Sequence, residues 1–303
     1  MGNRPGSFVL AAVVATYSAA GQQRHSPFSL RTGIDLVLVP VTLMDRRGAS
    51  IGDLDQRHFT VFQDNSPQAI VSFSKENAPC TLAVVLDASE SMLSHFSLAK
   101  LVAEGVLDGS EAGDEASLVS VSDQPTVDSP ITSNTPSIQA LLPFIKPAGN
   151  TALVDTVSLA LAQLRHAHNP RKAVLVVSDG MDNNSRLSKA ELMRIAVEAD
   201  AQIYTVSVGG APRTAKPVEE RQQQEGLAFL ADLAAKTGGM NYSVEFPSEA
   251  HKVAVEIRRA LRDQYLIGYT PTQKDASRKW HSIRVKLDDP KISVYARGGY
   301  YSR

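Results

Sequence analysis

Residues 82–86 form an uninterrupted apolar run, as a strand buried on both faces requires. Residues 173–177 and 202–208 read as two further strands of this kind. Around them apolar residues recur at helical spacing. The stripes are Leu98, Leu101, Val102 and Gly105; Val154, Val157, Leu161 and Leu164; and Leu192, Ile195, Ala196 and Ala199. Two more follow, Leu227, Leu230, Ala231 and Ala234, then Val253, Ala254, Ile257 and Leu261. Residues 116–122 and 126–131 read as a hairpin turning at Asp123-Gln124, and 240–244 as a short strand. Strands that alternate with helices need crossovers, so the pattern predicts an α/β fold. Its sheet is open and mostly parallel, Rossmann-like, with helices on both faces over about residues 81–263.

Both flanks of that unit change period. Residues 34–43, 59–63 and 69–73 are short runs rich in Val, Ile and Phe. The turn formers Asp45-Arg46-Arg47-Gly48 and Asp64-Asn65-Ser66-Pro67 separate them. After Gln264 three more strands follow, 265–269, 281–287 and 292–297. Two β-rich ends suggest that the α/β unit is inserted in a smaller sandwich-like part that the ends build together. Two separate β appendages are the alternative. Ahead of all this, Arg4 precedes the largely apolar stretch 8–20, which closes on the small residues Ser18-Ala19-Ala20. This is the pattern of a signal peptide over 1–20, and it predicts an exported protein, periplasmic or extracellular. The apolar stretch is shorter than a membrane helix needs, so no membrane span is expected. The predicted organisation is 1–20 leader, 21–79 β-rich, 80–263 α/β and 264–303 β-rich, the last a candidate to pair with 30–75.

Charge narrows the function. Lys+Arg number 31 against 32 Asp+Glu, a formal net charge of -1. So balanced a chain lacks the electrostatic footprint of a nucleic-acid binder. Its single cysteine, Cys80, excludes an internal disulfide and any multi-cysteine metal centre. There is no Gly-x-Ser-x-Gly elbow, no His-Glu-x-x-His, no phosphate loop and no Gly-x-Gly-x-x-Gly.

Three polar clusters fall where such sheets bind ligands, beyond the carboxyl ends of the strands. They are Asp87-Ala88-Ser89-Glu90-Ser91-Met92, Ser178-Asp179-Gly180 and Gly149-Asn150-Thr151-Ala152-Leu153. Two carboxylates and several hydroxyls on one edge suit a hard dication such as Mg²⁺, which prefers oxygen donors. A serine before a helix is also an ordinary cap, which would account for Ser89 or Ser91 singly. It does not account for the joint placement.

At these residues the chain resembles a known family. Leu86-Asp87-Ala88-Ser89-Glu90-Ser91-Met92 is similar to the metal-ion-dependent adhesion motif of von Willebrand factor type A domains. Asn150-Thr151-Ala152-Leu153-Val154-Asp155 and Val177-Ser178-Asp179-Gly180 resemble that family's other two metal-site segments. Asp55-Gln56-Arg57-His58-Phe59-Thr60-Val61-Phe62-Gln63-Asp64 resembles the amino-terminal strand segment of the bacterial exported "VWFA-related" proteins. Gln264-Tyr265-Leu266-Ile267-Gly268-Tyr269-Thr270-Pro271 and Arg297-Gly298-Gly299-Tyr300-Tyr301 resemble their carboxy-terminal signature. The resemblance implies a non-enzymatic, metal-mediated protein-binding module. It implies Ser89, Ser91, Thr151, Asp87 and Asp179 as ligands of Mg²⁺ (or Mn²⁺ or Ca²⁺), directly or through water. It also implies that an acidic residue of a partner protein completes the coordination. Two departures stand out, Glu90 and Asn150, both at positions where the family commonly has glycine. Neither removes a ligand.

Other polar residues have plainer readings. Asp155 suits the first turn of a helix, Asp123 the cap of its hairpin turn, and Asp182 an exposed loop. His166 and His168 mark a helix end beside Asn169-Pro170. Arg258, Arg259 and Arg262 read as a solvated face, Cys80 as a small buried hydrophobe, and residues 211–225 as mobile surface. Two further functions stay open: a structural or envelope-assembly protein with a vestigial site, and a Mg²⁺-dependent phosphatase using Asp87 as nucleophile. The second would want a carboxylate two residues on, where the chain has Ser89.

Overall fold

The computed structural model describes residue 2 and residues 36–209, 217–272 and 278–302, so the predicted leader lies outside the described residues. Four strands come first: β1 (Val37–Met44), β2 (Phe59–Gln63), β3 (Ser66–Gln68) and β4 (Ile70–Glu76). Next are β5 (Cys80–Asp87), α1 (Phe96–Leu107), β6 (Glu115–Val121), β7 (Thr126–Thr132), α2 (Thr135–Gln139) and α3 (Leu153–Gln163). The unit continues with β8 (Arg171–Ser178), α4 (Lys189–Glu198), β9 (Gln202–Val208), α5 (Pro217–Thr237), β10 (Asn241–Val244) and α6 (Pro247–Arg262). Four strands close the chain: β11 (Gln264–Tyr269), β12 (Trp280–Leu287), β13 (Ser293–Ala296) and β14 (Gly299–Tyr301).

The central sheet has six strands in the order β10-β9-β8-β5-β6-β7. Only β7 runs antiparallel, forming with β6 the expected hairpin. All eight residues of β5 are buried, because helices cover both of its faces. Leu82, Val84 and Leu86 point to one side, against Val102, Val106, Ile257 and Leu261 of α1 and α6. Ala83 and Val85 point to the other, against α3, α4 and α5 through Val157, Leu161, Leu192 and Leu230. Each Leu or Val side chain removed from water in this way contributes ~1.5–3 kcal/mol.

The flanks form two four-stranded antiparallel sheets, β13-β1-β11-β4 and β14-β12-β2-β3. Amino- and carboxy-terminal strands interleave in both: β1 pairs with β11 and β13, β11 with β4, and β2 with β12. Val41, Phe59, Val61, Tyr265, Ile267 and Val285 share the core between them. Beside that core the buried His281 imidazole meets Asp64 at 2.7 Å, and Gln63 takes hydrogen bonds from Tyr269 and Tyr300.

Three expectations need correction. Residues 217–225 open helix α5 and are not a surface loop, while 211–216 lie outside the described residues. The strands β3 and β14, three residues each, went unpredicted because so short a run carries no period. Arg262 is not solvated: its side chain is 15% exposed and pairs with Asp114 and Glu111. Asp114 is itself held by the Cys80 and Glu111 amides, and Arg171 donates to the Leu261 and Arg262 carbonyls. The last turn of α6 is thus tied to β5, β8 and the loop before β6.

Removing one partner from a buried ion pair strands the other. Arg262→Ala is therefore expected to lower the free energy of urea unfolding by about 3 kcal/mol. A change below about 0.5 kcal/mol, usual at a solvated position, would restore the sequence reading.

Candidate functional site

The parallel register brings β5 and β8 to an end at the same level, with Leu86 opposite Val177. Asp87 closes a dry strand and is fully buried. Three donors hold its carboxylate. Ser89 gives its amide (3.0 Å) and its hydroxyl (2.7 Å) to Oδ1, and the Ser178 hydroxyl reaches Oδ2 at 2.5 Å. A 3-10 turn over Glu90–Met92 follows, anchored by the fully buried Met92. That turn leaves Ser91 exposed, with its Oγ 3.1 Å from Ser89 Oγ.

Asp179, 5% exposed, follows β8 directly. Its Oδ1 accepts the Met181 amide at 2.9 Å, while Ser178 Oγ accepts the Gly180 amide at 3.0 Å. The charge of Asp179 acts on Asp87. Burial first, and then this like charge, push the Asp87 carboxyl up to about 7, against the hydrogen bonds that hold it down.

Thr151 is also buried, at 2% exposure. Its amide donates to Asn183 Oδ1 at 2.9 Å, and its carbonyl accepts the Asn183 and Asn184 amides. One residue earlier, Asn150 donates amide and side-chain hydrogen bonds to Asp123 Oδ1. Asn184 Nδ2 donates to the Asp123 carbonyl at 2.6 Å. The first loop joins this lattice where the Ala148 amide meets the Ala88 carbonyl, and where the Glu90 amide meets the Gly149 carbonyl. The three polar clusters of the sequence are therefore laced together at one sheet edge.

Two plain readings change here. Asp123 binds Asn150 across 27 residues rather than capping its own turn. Asp182 is half-buried and accepts the Leu153 amide and the Ser185 hydroxyl, so it caps α3. Asp155 lies in the first turn of α3, as expected, and its carboxylate also accepts the Arg186 and Leu187 amides. Glu90 is exposed beside the site, and His168 pairs with Glu115 at 2.7 Å. Sequence reasoning missed the supporting roles of Asn183 and Asn184. The polar run Asp182-Asn183-Asn184-Ser185 just after Asp179 was the available signal.

Chemically this is an all-oxygen donor set with two carboxylates at the mouth of a dry sheet. Ser89, Ser91, Thr151, Asp87 and Asp179 could hold a small hard cation. Among the described residues no group of three His, Cys, Asp or Glu side chains is arranged for a metal. A cation here would need donors besides carboxylates, and hydroxyls are among the oxygens present at this edge.

Residues 82–181, which span all three clusters, match the von Willebrand factor type A domain family. An uncharacterized protein of Borreliella burgdorferi is 24% identical over 187 residues, covering 55% of this chain and 54% of that protein. The chain thus spans about half the length of this curated relative. A von Willebrand factor type A structure from Catenulispora acidiphila superposes with a TM-score of 0.53 at 13% identity, covering 80% of this chain and 65% of that one. The conserved hypothetical protein BatB of Bacteroides thetaiotaomicron gives 0.47 at 23% identity, covering 60% and 98%. Residues 82–181 are thus similar to the von Willebrand factor type A domain family, and the α/β unit has a fold like that of such domains.

Proposed function

We propose that this protein captures a partner protein through a bridging dication, Mg²⁺ or a similar ion such as Mn²⁺ or Ca²⁺. Domains of this type commonly mediate protein interactions, and the bridging ion is the finer reading offered here. The observation that carries it is the buried Asp87 carboxylate facing a second one, Asp179. Among the described residues neither forms an ion pair with a basic side chain. Buried charge of one sign calls for a counter-charge, and oxygen-only surroundings select a hard one.

In this reading Ser89, Ser91 and Thr151 supply hydroxyl ligands, and Asp87 and Asp179 supply carboxylates directly or through water. Ser178 orients Asp87, and Asn183 with Asn184 fixes the backbone of Thr151. A bound dication would offer the partner an open coordination position, which an Asp or Glu side chain of the partner fills. The protein then acts as a binding module and not as an enzyme, and nucleic acid is no partner. Export to the periplasm or beyond rests on the leader pattern of residues 1–20. Among the described residues no helix is long and apolar enough to cross a membrane.

Calorimetric titration of Mg²⁺ and Mn²⁺ into chelator-treated protein is expected to give saturable binding at one site. Asp179→Asn should abolish it. The same substitution removes the like charge beside Asp87, so the metal-free variant at pH 8 should be more stable by on the order of 1 kcal/mol. Absence of heat and of thermal shift with either ion would retire the bridging mechanism in favour of a structural role. Release of nitrophenol from p-nitrophenyl phosphate, expected at background rate, would instead revive the phosphatase reading.

A further inference from the structure

The loop that carries Asp179 is braced by a helix that supplies none of the candidate ligands. α5 follows the parallel strand β9 and therefore starts at the carboxyl edge of the sheet. Midway along it, Gly226 lies against Gly180. A Cβ at Gly226 would stand 1.7 Å from the Gly180 carbonyl oxygen and 2.7 Å from its carbonyl carbon. A Cβ at Gly180 would stand 2.9 Å from the Leu227 amide nitrogen. The two backbones touch, and Gly180 turns away from β8 at φ +84°, in the left-handed region.

Glycine in a helix interior is a poor choice on helical grounds alone, where alanine does better. What the missing side chain permits is the contact. The contact bears on the site through two short links. Ser178 Oγ accepts the Gly180 amide and donates to Asp87 Oδ2, so a shift of Gly180 disturbs the group that orients Asp87. Asp179 Oδ1 accepts the Met181 amide, so the same shift loosens Asp179.

We infer that Gly226 is a positioning residue for the candidate dication site: by seating α5 on the Gly180 carbonyl it sets where Ser178 and Asp179 stand. The metal half of this inference rests on the function proposed above, while the positioning half does not need it. The test compares the full chain with Gly226→Ala and with Gly105→Ala. Gly105 also makes a close helix contact, a milder one at 2.9 Å from a built Cβ to the Ala254 Cβ, and it lies near the far end of α1.

Amide hydrogen exchange read by NMR on metal-free protein should speed up at least tenfold at Gly180 and Met181 in Gly226→Ala. Mn²⁺ affinity should fall at least tenfold in parallel. Gly105→Ala should leave both unchanged beyond any shift in global stability. Wild-type exchange and affinity in a folded Gly226→Ala would overturn the inference. So would equal losses in both variants that track their unfolding midpoints. Faster exchange in a protein that never binds Mn²⁺, wild type included, would uphold the positioning role and sink the bridging ion. Ala235→Gly covers the case in which Gly226→Ala does not fold, since it loosens α5 at an exposed position without crowding the loop. It should also speed exchange at Gly180 and Met181, and unchanged exchange there would overturn the inference.

Discussion

β5 is the strand on which the α/β unit turns. Dry on both faces, it can exist only between two helical layers, and its neighbours β6 and β8 can lie parallel to it only if helical crossovers cover those faces. The same geometry delivers its last residue, Asp87, to a point at the sheet edge that is buried from water. A carboxylate at that point is costly unless it is hydrogen-bonded, and Ser89 and Ser178 supply three donors. The second carboxylate, Asp179, arrives because β8 ends level with β5. The polarity of the site is thus a consequence of strand length and register.

The supporting lattice follows from the need to hold three loops that have no regular structure of their own. Backbone groups at such an edge must find partners, and here side chains from neighbouring loops provide many of them. Asp123 satisfies Asn150, Asn183 satisfies Thr151, and Asp182 satisfies the first turn of α3. Most of the acidic and amide residues around the site are therefore committed to backbone. Of the five candidate ligands only Ser91 is exposed, while Asp87, Ser89, Thr151 and Asp179 are buried.

At the opposite edge the problem is mechanical continuity. α6 ends one residue before β11, which lies between β1 and β4 in the outer sheet. Its final carbonyls are met by Arg171, Thr42 and the Gln264 side chain, and its Arg262 by Asp114 and Glu111. A buried polar junction of this kind depends on exact partners. The helix that packs along α1 is therefore joined without slack to the centre of the β-sandwich.

The sequence by itself determined the alternation of dry strands and striped helices, because burial on one or two faces dictates composition residue by residue. It also placed Asp87, Ser89, Ser91, Thr151 and Asp179 at strand and helix ends, since topology fixes which ends share an edge. The first turns of α5 left no such trace. Residues 217–225 are polar almost all round, and the helix there rests on the docking of its later turns rather than on an apolar stripe of its own. Arg262 looked solvated for a similar reason: its partner Asp114 lies 148 residues away, and no period records such a pairing. The hold of Asp123 on Asn150, of Asn183 on Thr151 and of Gly226 on Gly180 belongs to the tertiary structure alone. Each is a contact between segments whose separation in the chain carries no pattern, and only the closed fold brings the partners within reach.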